Sequence, residues 1–171
     1  MQRVQIGAPL TIKNKSEVFQ LFIDSIEREL AILKKAAKDT ADYATDSENK
    51  PENKYDTRGL EASYLAGAQA QRVSEMQDVL LAFRNQSLKN VHESAVVSIG
   101  SLVEVSSNNK TNRVLIMLLG GGQSITYEKQ TIQVVTTASP LGKVLIGQAS
   151  GEYVTIVAGN SNKEYEIVSI F

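Results

Sequence analysis

The chain of 171 residues has no cysteine and no tryptophan, and it has one histidine, His92. Without cysteine there is no disulfide and no thiolate metal site, so zinc fingers are excluded and the cytosol becomes the expected compartment. A net charge of −1 argues against a protein that wraps nucleic-acid backbone, which carries a strong positive excess. Any contact with nucleic acid is therefore expected to be indirect. Met1 to Lys15 lacks the apolar core of a signal peptide, and no stretch approaches the roughly 20 apolar residues of a membrane span. These absences point to a soluble, intracellular protein. No nucleophile stands beside a base, and His92 reads as a surface residue, so a self-contained enzyme is not expected.

What the chain does contain is a change of character near residue 90. From Ser16 to about Lys38, Phe19, Ile23, Ile26, Leu30, Leu33 and Ala37 recur at alternating steps of four and three, the seam of a helix packed on another helix. Ser16 is the expected N-cap. A second seam, from about Thr57 to Arg84, runs through Ala62, Ala66, Gln69, Val73, Met76, Leu80 and Phe83. Two such helices predict an antiparallel coiled-coil hairpin over residues 16–88, each arm roughly 40 Å long at about 1.5 Å per residue. Large side chains lie at one end and alanines at the other, so the hairpin should be thick at its base and thin at its tip.

Between Asp39 and Glu61 stand seven carboxylates against three bases, a balance of −4. Pro51 cannot continue a helix, and Thr45 to Asn53 reads as the connecting loop. Crowded carboxylates repel one another and make an added cation attractive, Mg²⁺ above all because it takes oxygen ligands and shares them with water or phosphate. The alternative is a solvated acidic loop.

After about residue 95 the pattern turns to β. Val96 to Val105, Arg113 to Leu119, Thr131 to Thr136, Val154 to Val157 and Tyr165 to Phe171 predict about five strands of an antiparallel sheet. Asn108-Asn109, Gly120 to Gly122, Gly151-Glu152 and Gly159-Asn160 are the expected turns. The triple glycine lacks the spacing of a phosphate loop and reads as a hairpin turn. Ser139-Pro140 starts a short helix that ends at Gly147 and buries Leu141, Leu145 and Val144. The fold class is α+β.

Ser139-Pro140-Leu141-Gly142-Lys143-Val144-Leu145-Ile146-Gly147, followed by Gly151-Glu152-Tyr153-Val154 and Tyr165-Glu166-Ile167-Val168, resembles the C-terminal domain of the bacterial Gre transcript-cleavage factors. Ser98-Ile99-Gly100-Ser101-Leu102-Val103 looks like that domain's first strand. The resemblance implies an FKBP-like domain over 95–171 behind a coiled coil that enters the secondary channel of RNA polymerase. It also implies that acidic tip residues help to hold a second Mg²⁺ at the polymerase's own active centre, where backtracked RNA is hydrolysed. The family's tip pattern is aspartate, one residue, then Ser-Glu-Asn. Ser47-Glu48-Asn49 matches its end, Thr45 stands at the aspartate position, and Asp46 follows; Pro51-Glu52-Asn53 offers a second alignment. Asp39-Thr40-Ala41-Asp42-Tyr43-Ala44 also resembles the Asp-x-x-Asp-x-Ala tip of DksA, which enters the same channel.

The resemblance thus makes Asp46 and Glu48 the shared Mg²⁺ ligands, with Asn49, Glu52, Asp39 and Asp42 as further tip residues and Ser139, Pro140 and Leu141 as polymerase contacts. The expected protein is a monomeric, non-enzymatic elongation factor that stimulates cleavage and holds no cofactor in isolation. A channel-binding regulator without cleavage stimulation is the alternative. Two readings from other classes are an FKBP-like isomerase or chaperone, which needs an aromatic-lined pocket, and a structural coiled-coil homodimer.

Overall fold

The computed structural model describes residues 12–45, 58–87, 96–158 and 161–171, which form three helices and six strands. Helices α1 (Ile12–Thr45) and α2 (Arg58–Ser87) come first. Phe83, near the end of α2, meets Phe19 and Phe22, near the start of α1, with ring centroids 6.1 and 5.4 Å apart. The two helices therefore form an antiparallel hairpin.

The seam follows the sequence. Phe19, Ile23, Ile26, Leu30, Ala62, Leu80 and Phe83 are buried, and Leu33, Ala37, Ala66, Gln69, Val73 and Met76 are half-buried. Two helix ends differ from expectation. Ser16 is not an N-cap but an exposed residue inside α1, which already begins at Ile12. At the other end α1 runs past Lys38 to Thr45, and the hydroxyls of Thr40 and Thr45 bond back to the carbonyls of Ala36 and Ala41, both at 2.9 Å, an arrangement a helix accommodates.

The chain divides into two compact units, one gathering the start of α1 through Phe22 with Ala82–Phe171, the other Ile23–Leu81. The first unit is built on strands β1 (Leu102–Ser107), β2 (Lys110–Met117), β3 (Ser124–Tyr127), β4 (Gln130–Thr136), β5 (Tyr153–Ala158) and β6 (Ser161–Ile170), in the order β3-β4-β2-β1-β6-β5. One face buries Val103, Val105, Val114, Ile116, Val154 and Ile167 together with Leu145 of helix α3 (Pro140–Leu145). The other face buries Leu102, Leu115, Met117, Ile132 and Val134. Tyr127, which shares that second face with Ile132 by register, donates its hydroxyl to Glu17 Oε2 of α1 at 2.8 Å. Gln86 of α2 donates to the Ile99 carbonyl at 2.8 Å. These bonds tie the start of α1 to β3 and the end of α2 to the turn before β1, and Val18 and Phe22, outside the expected seam, are fully buried.

The sheet is mixed rather than wholly antiparallel, since β2 pairs with β4 in parallel, Leu115 opposite Val134. The cause is the crossing at Gly120–Gly122. Instead of a hairpin turn, the triplet carries the chain past β4, so that β3 pairs on the far side of β4. A Cβ on Gly121 would lie 2.9 Å from Thr136 Cγ2, so the passage is tight. Strand β3 was not anticipated, and Val96–Val105 is not one strand. Val96 makes an isolated bridge to Ala149, a turn at Ser98–Ser101 with Gly100 at φ 87° intervenes, and β1 starts at Leu102. Asn108-Asn109 forms the expected tight turn, with φ of 49° and 60°. Gly159-Asn160 and His92 lie outside the described residues.

Candidate functional site

The last turns of α1 carry the described part of the acidic segment. Asp39, Asp42 and Tyr43 are exposed and, at spacings of three and four residues, share one side of the helix. Asp42 lies in the final turn, which contains no base, so its carboxylate faces the negative end of the helix dipole. Carboxylates are more common at the other end of a helix. At the first turn of α2, by contrast, Glu61 faces the positive end.

Thr45 ends α1 with its hydroxyl directed into its own helix, 2.9 Å from the Ala41 carbonyl and 3.2 Å from that of Asp42. The remaining expected tip residues, Asp46, Glu48, Asn49 and Glu52, lie outside the described residues. Among the described residues no three His, Asp or Glu side chains gather where a metal could be held. Asp39 and Asp42 by themselves could share an ion already held elsewhere, since Mg²⁺ accepts one or two carboxylates alongside water and phosphate.

The second expected site, Ser139-Pro140-Leu141, opens α3 as the sequence suggests. Ser139 caps the helix, its Oγ accepting from Gly142 N at 3.1 Å and donating to the Thr136 carbonyl at 2.7 Å. Pro140 follows, exposed, in the first helical turn. Gly142 is buried because a Cβ there would lie 2.0 Å from Thr136 O, so only glycine lets α3 approach β4 this closely. Ile146 ends the helix, and Gly147 follows it at φ 82°.

Leu141 also lines a cleft of about 270 Å³ with Val105, Val114, Val135, Lys163 and Tyr165, where Lys163 Nζ stands 5.0 Å from the Tyr165 ring centre. Tyr165 is the one aromatic residue in its lining. That is not the aromatic-walled pocket an isomerase would use.

Sequence reasoning missed one buried polar group. Glu104 of β1 accepts from Arg113 Nε of β2 at 2.7 Å through Oε1 and from Ser169 Oγ of β6 at 2.8 Å through Oε2. Both carboxylate oxygens are thus committed, and the group ties the three central strands in register rather than offering a base. The signal was there in the sequence, as a lone acid in Leu102-Val103-Glu104-Val105 and a lone base before Val114-Leu115-Ile116.

Residues 92–171 match the family described as transcription elongation factor GreA/GreB, C-terminal domain. Along 89% of this chain and 92% of its own length, the transcription inhibitor protein Gfh1 of Thermus thermophilus is 23% identical. The transcription elongation factor GreA of Clostridium botulinum is 24% identical over 69% of this chain and 68% of its own. The crystal structure of Gfh1 from Thermus thermophilus aligns over 87% of this chain and 94% of its own at 18% identity, with a TM-score of 0.34.

Proposed function

Because residues 92–171 make this chain a member of the Gre factor superfamily, we propose that it is a non-enzymatic accessory factor of bacterial RNA polymerase. Its helical hairpin enters the secondary channel and modulates transcription there without stimulating RNA cleavage. The observation that carries this reading is Thr45. The family's tip pattern calls for an aspartate at this position, yet the side chain is neutral and its hydroxyl is bonded to its own helix at Ala41 and Asp42. One of the carboxylates that would help to bind a second Mg²⁺ is missing. The relatives that align along 89% of the chain, named as transcription inhibitors, support the same choice.

In this reading Asp39 and Asp42 bring negative charge toward the active centre, and Ser139, Pro140 and Leu141 contact the channel rim. The second reading, cleavage stimulation, draws on Ser47-Glu48-Asn49. In it Asp46 and Glu48, with Asn49 or Glu52 beside them, share the polymerase's Mg²⁺, which would polarise the phosphate and activate water. Compartment and stoichiometry follow from the partner: a cytoplasmic monomer, one per polymerase.

The test is a stalled, backtracked elongation complex mixed with the purified protein. Binding with slowed RNA synthesis and no shortening of the transcript is expected, and Thr45→Asp should introduce shortening. Shortening by the unaltered protein, lost in Glu48→Ala, would instead establish the second reading.

A further inference from the structure

Strand β5 lies at one end of the sheet, and among the described residues no strand pairs with its outer edge. Natural sheets protect such edges with charged side chains, proline, a bulge or a short strand. The opposite edge, β3, is short, at four residues. β5 has six residues, Tyr-Val-Thr-Ile-Val-Ala, with no charge and no proline. Its outward side chains include Tyr153 and Val157, which are 62% and 72% exposed.

The hydrogen-bonding phase of this edge is fixed by β6. Ile167 N donates to the Glu152 carbonyl at 2.9 Å, and the antiparallel register places Val154 opposite Tyr165 and Ile156 opposite Lys163. Antiparallel pairs alternate between bonded and non-bonded, so Val154, Ile156 and Ala158 spend their backbone groups on β6. The N–H and C=O groups of Tyr153, Thr155 and Val157 point away from it.

The face beside this edge is acidic. By register Glu166 lies opposite Tyr153, and Glu164 opposite Thr155. Both carboxylates line a cleft of about 310 Å³ with Tyr153, Asn108, Asn109 and Asn162. Lys163 also lines this cleft, but its ammonium stands over Tyr165 on the opposite face. Thr155 is small enough for a long side chain on an added strand to pass over it toward Glu164.

From these three observations we infer that β5 is a docking edge for an extended segment of a partner protein in which apolar and basic residues alternate. The segment adds as a further strand, its backbone pairing with Tyr153, Thr155 and Val157. Its apolar residues extend the Val154 and Ile156 face, and its Lys or Arg residues reach over Thr155 to Glu164 and Glu166. Main-chain bonds supply affinity in such additions, and the alternate side chains supply selectivity. This site is separate from the helical hairpin and does not depend on the polymerase reading.

The experiment uses the full-length, isotope-labelled chain and a synthetic heptapeptide alternating lysine and valine, with a glutamate–valine heptapeptide as control. Addition of the basic peptide should shift the amide resonances of Tyr153, Thr155 and Val157 and slow their hydrogen exchange by about tenfold or more. Thr155→Pro removes one outward N–H without touching the β6 ladder and should abolish these effects. Glu164→Lys with Glu166→Lys leaves the backbone edge intact and should reverse the preference toward the acidic peptide, which keeps the inference testable should the proline variant fold poorly. Equal response to both peptides, no response at β5, or amides already protected by self-association of the chain would each overturn it.

Discussion

Phe83 is the residue on which the base of the hairpin turns, and its truncation gives the sharpest test of the packing. The side chain is fully buried and touches both Phe19 and Phe22. Phe→Ala at a core site costs about 3–5 kcal/mol from lost transfer energy and the cavity left behind. Two ring contacts, each worth roughly 0.5–1.5 kcal/mol beyond area, place Phe83→Ala near the upper half of that range, about 4 kcal/mol. For a chain of this size each kcal/mol shifts the melting temperature by about 2–4 °C, so a fall of roughly 8–16 °C is expected. Urea unfolding followed by circular dichroism, with the slope compared between variants, provides the check. Leu81→Ala is the control, since Leu81 is 57% exposed two residues away and its loss should cost no more than about 0.5 kcal/mol. Should the two variants melt together, Phe83 is not holding α1 to α2, and the antiparallel base described above is wrong.

Gly142→Ala would drive a methyl to 2.0 Å from Thr136 O, a contact with backbone that cannot rotate away. It should destabilise the sheet unit by about 1–3 kcal/mol or more and expose apolar surface to a reporter dye such as ANS. Lys15 is buried, and desolvation of its ammonium lowers its pKa from the ordinary lysine value. The unfolded chain therefore holds this proton more tightly, and stability rises with pH between the lowered folded value and the unfolded value of about 10.4. Lys15→Met should be more stable than the parent at neutral pH, with the advantage shrinking as pH climbs through that window; urea midpoints at several pH values would reveal it.

The hairpin was legible because four-three stepping states which residues meet one partner helix. Val18 and Phe22 were not, because they lie off that four-three seam; the widened apolar arc Val18-Phe19-Leu21-Phe22-Ile23 carried the message without saying what lay opposite, and Phe22 meets Phe83 of α2. The start of helix α3 was readable to the residue from Ser139 and Pro140, each with a local reason for its place, whereas its C-cap is Ile146, one residue before the expected Gly147. Strand β3 was hidden by its length and by its turn, Glu128-Lys129, which adopts positive φ of 48° and 65° without the Asn or Gly that usually announces it. Parallel pairing of β2 with β4 could not be read at all, because glycine reports local freedom, and the crossing it serves is set by a strand further along the chain. At the acidic end, the sequence placed Asp39 and Asp42 in the turn region, and both stand on the helix itself. The fate of Thr45 depends on which carbonyl its hydroxyl finds, something only coordinates supply.

The position of β6 has a consequence for how the chain matures on the ribosome. β1 lies between β2 and β6, and β5 pairs with β6. Until residues 161–170 have been made, the nascent protein holds a four-stranded fragment whose edge strand, β1, has one side bare, while Tyr153–Ala158 has nothing to join. Such open edges recruit other chains or chaperones. A message truncated before that final strand would therefore yield not a weakened protein but a sticky one, and its removal would fall to proteolysis.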